Sequence, residues 1–271
     1  MKHSRKQDCV RRYHIGKMGV SIVTMAEVLN LISDQVHKRL PAYICVANVH
    51  TTVLSQHDDE LCKAQNESLL TIPDGMPLVW YARLIGNRRV ERVTGPDLMI
   101  KILEISGQHG YSHYFYGDTK QVLTKLRTVI SHRYPGTEVK GMCSPPFRQL
   151  TENEISNTID DINKLQPTFV WIALGGPKQE KWMAKVFPYI DSAIMVGVGA
   201  AFRFVIGEYK HPPKLIQKCG LEGVFWRTFK HPIDNGKWLC YLIPAFGTLM
   251  FKGLAQQFLD RHSNIFKNSI S

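Results

Sequence analysis

Several short polar stretches carry the residue types that bind and transfer phosphorylated groups. Asn48 and His50 follow the apolar run 42–48. The Asn48 amide can meet a ligand hydroxyl or simply cap the next helix, the commoner use of such a residue there. Asp74 sits in Ile72-Pro73-Asp74-Gly75-Met76-Pro77. A carboxylate between a strand end and a helix start serves either as a general base or as a turn residue. Arg92 precedes Thr94-Gly95-Pro96-Asp97. The backbone amides of a Thr-Gly-Pro helix start suit an anion, and a guanidinium beside them adds a fixed positive fork. A surface pair of Arg92 with Glu91 or Asp97 is the alternative. Gly117-Asp118-Thr119 offers a glycine that lets backbone come close to a ligand. Gly175-Gly176-Pro177-Lys178-Gln179-Glu180 puts two glycines before a polar first turn, a combination that suits a phosphate or a sugar. Gly197-Val198-Gly199-Ala200-Ala201-Phe202 supplies small residues for a close strand–helix crossing. Neither a G-x-G-x-x-G fingerprint nor a Walker lysine motif is present, which speaks against an NAD-linked oxidoreductase. His50 and His57 do not argue for a metal, and Asp58, Asp59 and Glu60 read as a solvated helix face.

Those stretches need elements to hold them. From residue 19 to about 205 the chain alternates strand-like and helix-like segments. Thr24 with Glu27 and Thr151 with Glu154 have capping-box spacing, so helices start after both threonines. Strands are expected at 42–48, 69–72, 111–116, 137–142, 168–174 and 193–198. Helices are expected at 51–66, from Pro77 onward, and at 96–106, 120–130, 151–164 and 177–185. Arg92 is read at a strand-to-helix junction. Strand, loop and helix repeated about six times imply an α/β fold, a mostly parallel Rossmann-like sheet with helices on both faces. Ligands of such sheets bind beyond the carboxyl ends of the strands. The polar stretches above fall at those ends.

After Gly207 the pattern changes to helical segments without strands. The expected division is residues 1–207 as the α/β domain and 208–271 as a helical C-terminal appendage. Residues 238–251 run without a charge between Lys237 and Lys252. This run is too short to span a bilayer, and it fits either an interfacial helix or one buried against the body.

The net charge is +11, and it is concentrated at the two ends of the chain. Residues 208–271 hold nine Lys/Arg against four Asp/Glu. Basic ends attract phosphates, whether of nucleic acid, anionic lipid or a diphosphate substrate. The six cysteines form no C-x-x-C pair and read as free thiols of a reducing compartment. The basic N-terminus lacks an apolar run after it, so no signal peptide is expected. With 44% hydrophobic residues, the chain is neither disordered nor a coiled coil.

In their order, Asp-Gly-Met-Pro, Glu-Arg-Val-Thr-Gly-Pro-Asp, Gly-Gly-Pro-Lys-Gln-Glu, Gly-Val-Gly-Ala-Ala-Phe and Gly220-Leu221-Glu222 resemble the TagA/WecG/CpsF family of bacterial glycosyltransferases, from about residue 15 to about 235. The resemblance implies an inverting enzyme, metal-independent and without a cofactor. It would move a sugar from a UDP-sugar to an undecaprenyl-diphosphate-linked saccharide in cell-wall or surface-polysaccharide synthesis. The enzyme would work in the cytoplasm, peripheral on the inner face of the membrane. The implied partners are the UDP-sugar, the polyprenyl-diphosphate acceptor and an anionic membrane surface, not nucleic acid, and a homo-oligomer is left open. By position, Asp74 resembles the catalytic base and Arg92 the arginine that holds the nucleotide diphosphate. Asn48, Thr94, Gly117, Asp118, Gly175, Gly176 and Gln179 fall on the donor side, with Gln179 lining the sugar pocket. Lys210, Lys214, Arg227 and Trp238 fall on the acceptor and membrane side, with Arg227 meeting the lipid diphosphate.

The sequence departs from that pattern at Val46-Ala47, Arg203, His211, Leu215 and Gly223. These departures leave the donor sugar open among N-acetylmannosamine, its uronic acid, glucuronic acid and glucose. A non-catalytic basic module for nucleic acid or anionic lipid is the alternative, but it leaves the strand-end stretches without a role.

Overall fold

The computed structural model describes residues 10–210, 240–256 and 259. It begins with an antiparallel hairpin, β1 (Arg12–Ile15) and β2 (Met18–Ser21), turned at Gly16 with φ +58°. The sequence reading lacks β1. The signal was a two-residue Gly-Lys connection between short apolar runs.

Six strands form one parallel sheet: β3 (Ala42–Ala47), β4 (Leu70–Pro73), β5 (Ser112–Gly117), β6 (Glu138–Cys143), β7 (Phe169–Ala173) and β8 (Ile194–Gly197), in the order β4-β3-β8-β7-β5-β6. Their apolar runs are continuous because both faces are covered. Alternate residues sort between the faces. Ile44, Phe115, Trp171 and Val196 enter one core, while Tyr43, Tyr116, Ile172 and Met195 enter the other.

The first face is covered by α1 (Met25–His37), α5 (Gly95–His109), α6 (Lys120–Arg133) and α9 (Ala201–Val205). The second is covered by α7 (Glu152–Leu165) and α8 (Lys178–Val186). The capping boxes at Thr24 and Thr151 both form. Residues 51–66, expected as one helix, are two: α2 (Val49–Leu54) and α3 (Asp59–Glu67). Asp58 makes the break. It is the cap of α3, accepting from the Leu61 amide at 3.0 Å, and not a member of a solvated helix face.

A third core joins the hairpin to α4 (Met76–Leu84) and to a C-terminal helix, α10, at residues 240–256. Leu242 and Phe246 of α10 are buried there with Leu78, Val79 and Tyr81. Gly253 lets α10 approach, since the Tyr81 side chain occupies the space a Cβ would need. Tyr241, Ile243 and Phe251 of α10 are exposed. The described part of the uncharged run therefore has a packed face and exposed apolar side chains outside it. No helix among the described residues is long and apolar enough to cross a membrane.

Candidate active site

The parallel sheet brings five helix starts to one edge. β3 leads into α2, β4 into α4, β5 into α6, β7 into α8 and β8 into α9. The partial positive ends of those helices therefore face the same side of the sheet, a favourable setting for a phosphorylated ligand.

Backbone contacts tie neighbouring loops together. The Asp74 amide donates to Ala47 O at 2.8 Å, joining the ends of β3 and β4. The Val93 amide donates to Pro73 O at 2.9 Å, which brings in the segment before α5. The sequence reading places a strand there; the structure has only irregular backbone between α4 and α5. Arg92 reaches the strand edge because this loop runs along the end of β4. Gly95 packs on Val198, where an added Cβ would lie 3.2 Å from the Val198 carbonyl oxygen. Gly117, at φ +119°, leaves 2.5 Å between such a Cβ and Ala173 O, so only glycine fits.

At the β4 end, Arg92 Nε donates to the Asp74 backbone carbonyl. Its Nη2 lies 3.7 Å from Asp74 Oδ1, with the two side chains 19% and 28% exposed. Asp74 and Arg92 are thus immediate neighbours. Thr94 caps α5, accepting from the Asp97 amide at 3.0 Å and donating to Asp97 Oδ2 at 2.7 Å. Asn48 caps α2, accepting from the Thr51 amide at 3.1 Å. The capping use of Asn48 is therefore the one the structure displays.

In the centre, Gln179 is buried beneath the loop after β7. Its Oε1 accepts from the Gly199 amide at 3.0 Å and its Nε2 donates to Glu180 Oε1 at 2.9 Å. Gly175 takes φ +76°, and a Cβ there would meet open space. At the β5 end, Asp118 takes φ +54° and receives Arg203 in a two-pronged pair, Nη2 to Oδ1 at 2.7 Å and Nε to Oδ2 at 3.0 Å. Arg203 also donates to Glu208 Oε2 at 3.2 Å, and Lys125 reaches Glu208 Oε1 at 2.8 Å.

The structure therefore gathers Asn48, Asp74, Arg92, Thr94, Gly117, Asp118, Gly175, Gly176 and Gln179 along one edge of the sheet. Lys210 is exposed at the end of the described body. Lys214, Arg227 and Trp238 lie outside the described residues, as does most of the 208–271 appendage. Thr51 is not singled out from the sequence, Glu180 figures there only as the last residue of the Gly175–Glu180 loop, and Arg203 only as a departure from the resembled motif. The Thr51 methyl and the Glu180 carboxylate lie under Gly176. Among the described residues, no group of three His, Cys, Asp or Glu could hold a metal ion.

The model of the glycosyl transferase WecG/TagA/CpsF family matches residues 13–259. Proteins named N-acetylglucosaminyldiphosphoundecaprenol N-acetyl-beta-D-mannosaminyltransferase are similar to the chain. That of Bacillus subtilis strain 168 is 25% identical over 197 residues, covering 73% of this chain and 75% of the relative. That of Bacillus spizizenii W23 is 26% identical over 212 residues, covering 78% and 79%. That of Staphylococcus aureus NCTC 8325 is 22% identical over 160 residues, covering 59% and 61%.

Proposed function

The chain belongs to the glycosyl transferase WecG/TagA/CpsF family, and on that premise we propose that it transfers N-acetylmannosamine from a UDP-sugar to an undecaprenyl-diphosphate-linked N-acetylglucosamine. Membership makes it a glycosyltransferase and sets aside the non-catalytic basic module. The sugar and the acceptor are those in the names of the similar Bacillus and Staphylococcus proteins.

The observation that carries the residue assignment is the pairing of a half-buried carboxylate with a guanidinium, Asp74 with Arg92 at 3.7 Å, on an edge lined by helix starts. In a single displacement the acceptor hydroxyl attacks the anomeric carbon, the bond from that carbon to the UDP oxygen breaks, and the configuration inverts. Asp74 takes the hydroxyl proton. Such a base contributes about 10²–10⁴-fold in rate. As the proton arrives, the Asp74 carboxylate loses its charge while the departing diphosphate gains one. Arg92 then exchanges a weakening partner for a strengthening one without leaving its anchor on the Asp74 carbonyl. The helix-start amides at Thr94 and in the Gly175-Gly176 loop favour the same anion.

The acceptor lipid is held in a bilayer, so the enzyme works at a membrane surface. Support comes from the exposed Tyr241, Ile243 and Phe251 of α10, with Trp80 and Leu84 exposed on α4, the helix that begins beside Asp74. The basic residues Lys210, Lys214 and Arg227 and the indole of Trp238 fit an anionic leaflet. On this reading the working face is the cytoplasmic one, where UDP-sugars are made.

The test is transfer of radiolabelled sugar from a panel of UDP-sugars to a short-chain lipid-diphosphate N-acetylglucosamine, together with melting curves with and without UDP. UDP at 100 times its Kd raises stability by about 2.7 kcal/mol. A panel with no transfer and no shift on adding UDP sinks the proposal.

A further inference from the structure

The first turn of α8 holds two buried polar side chains in sequence, Gln179 at 4% exposure and Glu180 at 0%. The Gln179 amide is fixed at both ends. A backbone N–H needs an acceptor, so the Gly199 amide sets Oε1, and a carboxylate needs a donor, so Glu180 sets Nε2. The surrounding glycines leave room for this unit and its neighbours: a Cβ at Gly197 would lie 2.8 Å from Met183 Cε and 3.1 Å from Gln179 Nε2, and one at Gly176 would lie 3.0 Å from Thr51 Cγ2 and 3.3 Å from Glu180 Oε2. The Gln179–Glu180 unit thus fills the floor under two of the loops at the sheet edge.

Glu180 is costly for the fold. Its Oε2 has no hydrogen-bond partner among the described residues. Burial pushes its carboxyl above the usual range. An unsatisfied buried polar atom is unfavourable, and an apolar side chain of similar size would remove it, though only by taking from Gln179 Nε2 its acceptor. Helix α8 already has its apolar anchors in Met183 and Val186. The carboxylate therefore does something that packing does not require. With Oε1 on Gly199 and one Nε2 hydrogen on Glu180, the amide keeps a single N–H. That hydrogen has no acceptor among the described residues, and its nitrogen lies beside Gly197 at the end of β8.

We propose that Glu180 is a positioning residue for the donor sugar, holding the Gln179 amide so that its remaining N–H meets an acceptor oxygen of that sugar. An N-acetyl carbonyl or a ring hydroxyl oxygen supplies this chemistry. The inference rests on the glycosyl-transfer reading of the site and adds to it how the sugar-facing amide is held. Gln179 touches the sugar; Glu180 acts only through Gln179.

The experiment measures donor KM and kcat, with melting curves, for wild type, Glu180→Gln, Glu180→Met, Gln179→Ala and the Gln179→Ala/Glu180→Met double variant. Glu180→Met is expected to raise donor KM about tenfold with kcat changed less than about threefold. Glu180→Gln keeps the acceptor oxygen and should hold KM within about threefold of wild type. The double variant should match Gln179→Ala alone, since nothing is left for Glu180 to orient. A Met variant with unchanged KM overturns the inference. So does a Gln variant as impaired as Met, or an additive double variant. Wild-type transfer is the control. Its absence counts against the glycosyl-transfer reading, whereas an active wild type with an indifferent Glu180→Met counts against this inference alone.

Discussion

Two Asp–Arg pairs stand on the same edge of the sheet and are built differently. At the β5 end, Arg203 takes both oxygens of Asp118, at 2.7 and 3.0 Å, and the Asp118 side chain is only 9% exposed. At the β4 end, Arg92 stands 3.7 Å from Asp74 and is anchored on its backbone carbonyl, with the Asp74 side chain 28% exposed. A carboxylate whose two oxygens are both held by a guanidinium fork is poorly placed to take a proton from a substrate. At Asp74 the guanidinium stands off the carboxylate at 3.7 Å and takes no two-pronged hold on it. The same residue types thus make a latch at one strand end and a looser pair at the other, where we propose that the carboxylate takes the proton. The latch also fastens α9 and Glu208 to the sheet.

The largest effect tests the loose pair. Asp74→Asn should lower turnover about 10²–10⁴-fold while leaving the melting temperature nearly unchanged. Asp118→Asn should do the reverse, with turnover within about tenfold and a clear loss of stability. Assays of both purified variants on the same UDP-sugar decide the matter, and a larger turnover loss in Asp118→Asn inverts the assignment. Next comes the guanidinium. Arg92→Met should cost about 10²-fold in kcat, the worth of one transition-state donor. Arg92→Lys should recover little of that, because an ammonium cannot both anchor on the Asp74 carbonyl and present a second fixed donor. Full activity in Arg92→Lys would show that charge alone is needed there.

The tight pair is probed by stability. Arg203→Ala and Asp118→Ala should each lose about 1–2 kcal/mol in urea unfolding, and the double variant should lose no more than the worse single one. Additive losses would mean that the two side chains stabilise separately and that the fork adds nothing. Ser144 Oγ, which donates to the Asp118 carbonyl at 2.7 Å, holds the loop from its other side. The backbone at φ +54° should therefore survive these substitutions in part.

The two pairs also differ in how readable they are from sequence. The β4 end is local. Asp74 directly follows a strand, Arg92 lies eighteen positions on, and the Pro and Gly residues around them announce the turns. The sheet is legible for the same reason, since β-branched and aromatic runs between turn residues read as buried strands. The Asp118–Arg203 pair joins residues 85 positions apart, and neither neighbourhood announces the other. Arg203 stood out only as a departure from the resembled motif, with no partner in view. The Asn48 capping role and the Asp58 break were both written in short-range spacing, yet Asp58 lost out to the polar helical period around it. Glu180 was invisible as a buried group because a glutamate in a polar first turn normally faces water.

The smallest effect belongs to neither pair, and it bears on how their pH behaviour is read. His113 is fully buried in the middle of β5. Its Nδ1 accepts from Trp171 Nε1 at 2.9 Å, and its Nε2 bonds Ser106 Oγ at 2.8 Å, which in turn donates to Ile102 O. Burial pulls its pKa from 6.5 down to about 3. The folded value lies below the unfolded one, so between those values the unfolded chain binds the extra proton. Folding stability is then complete above about pH 6.5 and falls as the pH drops towards 3, by up to ~1.4 kcal/mol per unit. Urea unfolding at pH 7.0 and 5.5 should show a loss of about 1 kcal/mol in wild type that is absent from His113→Gln, measured as the difference between the two proteins so that other titrations cancel. An equal loss in both would mean that the acid sensitivity does not come from His113.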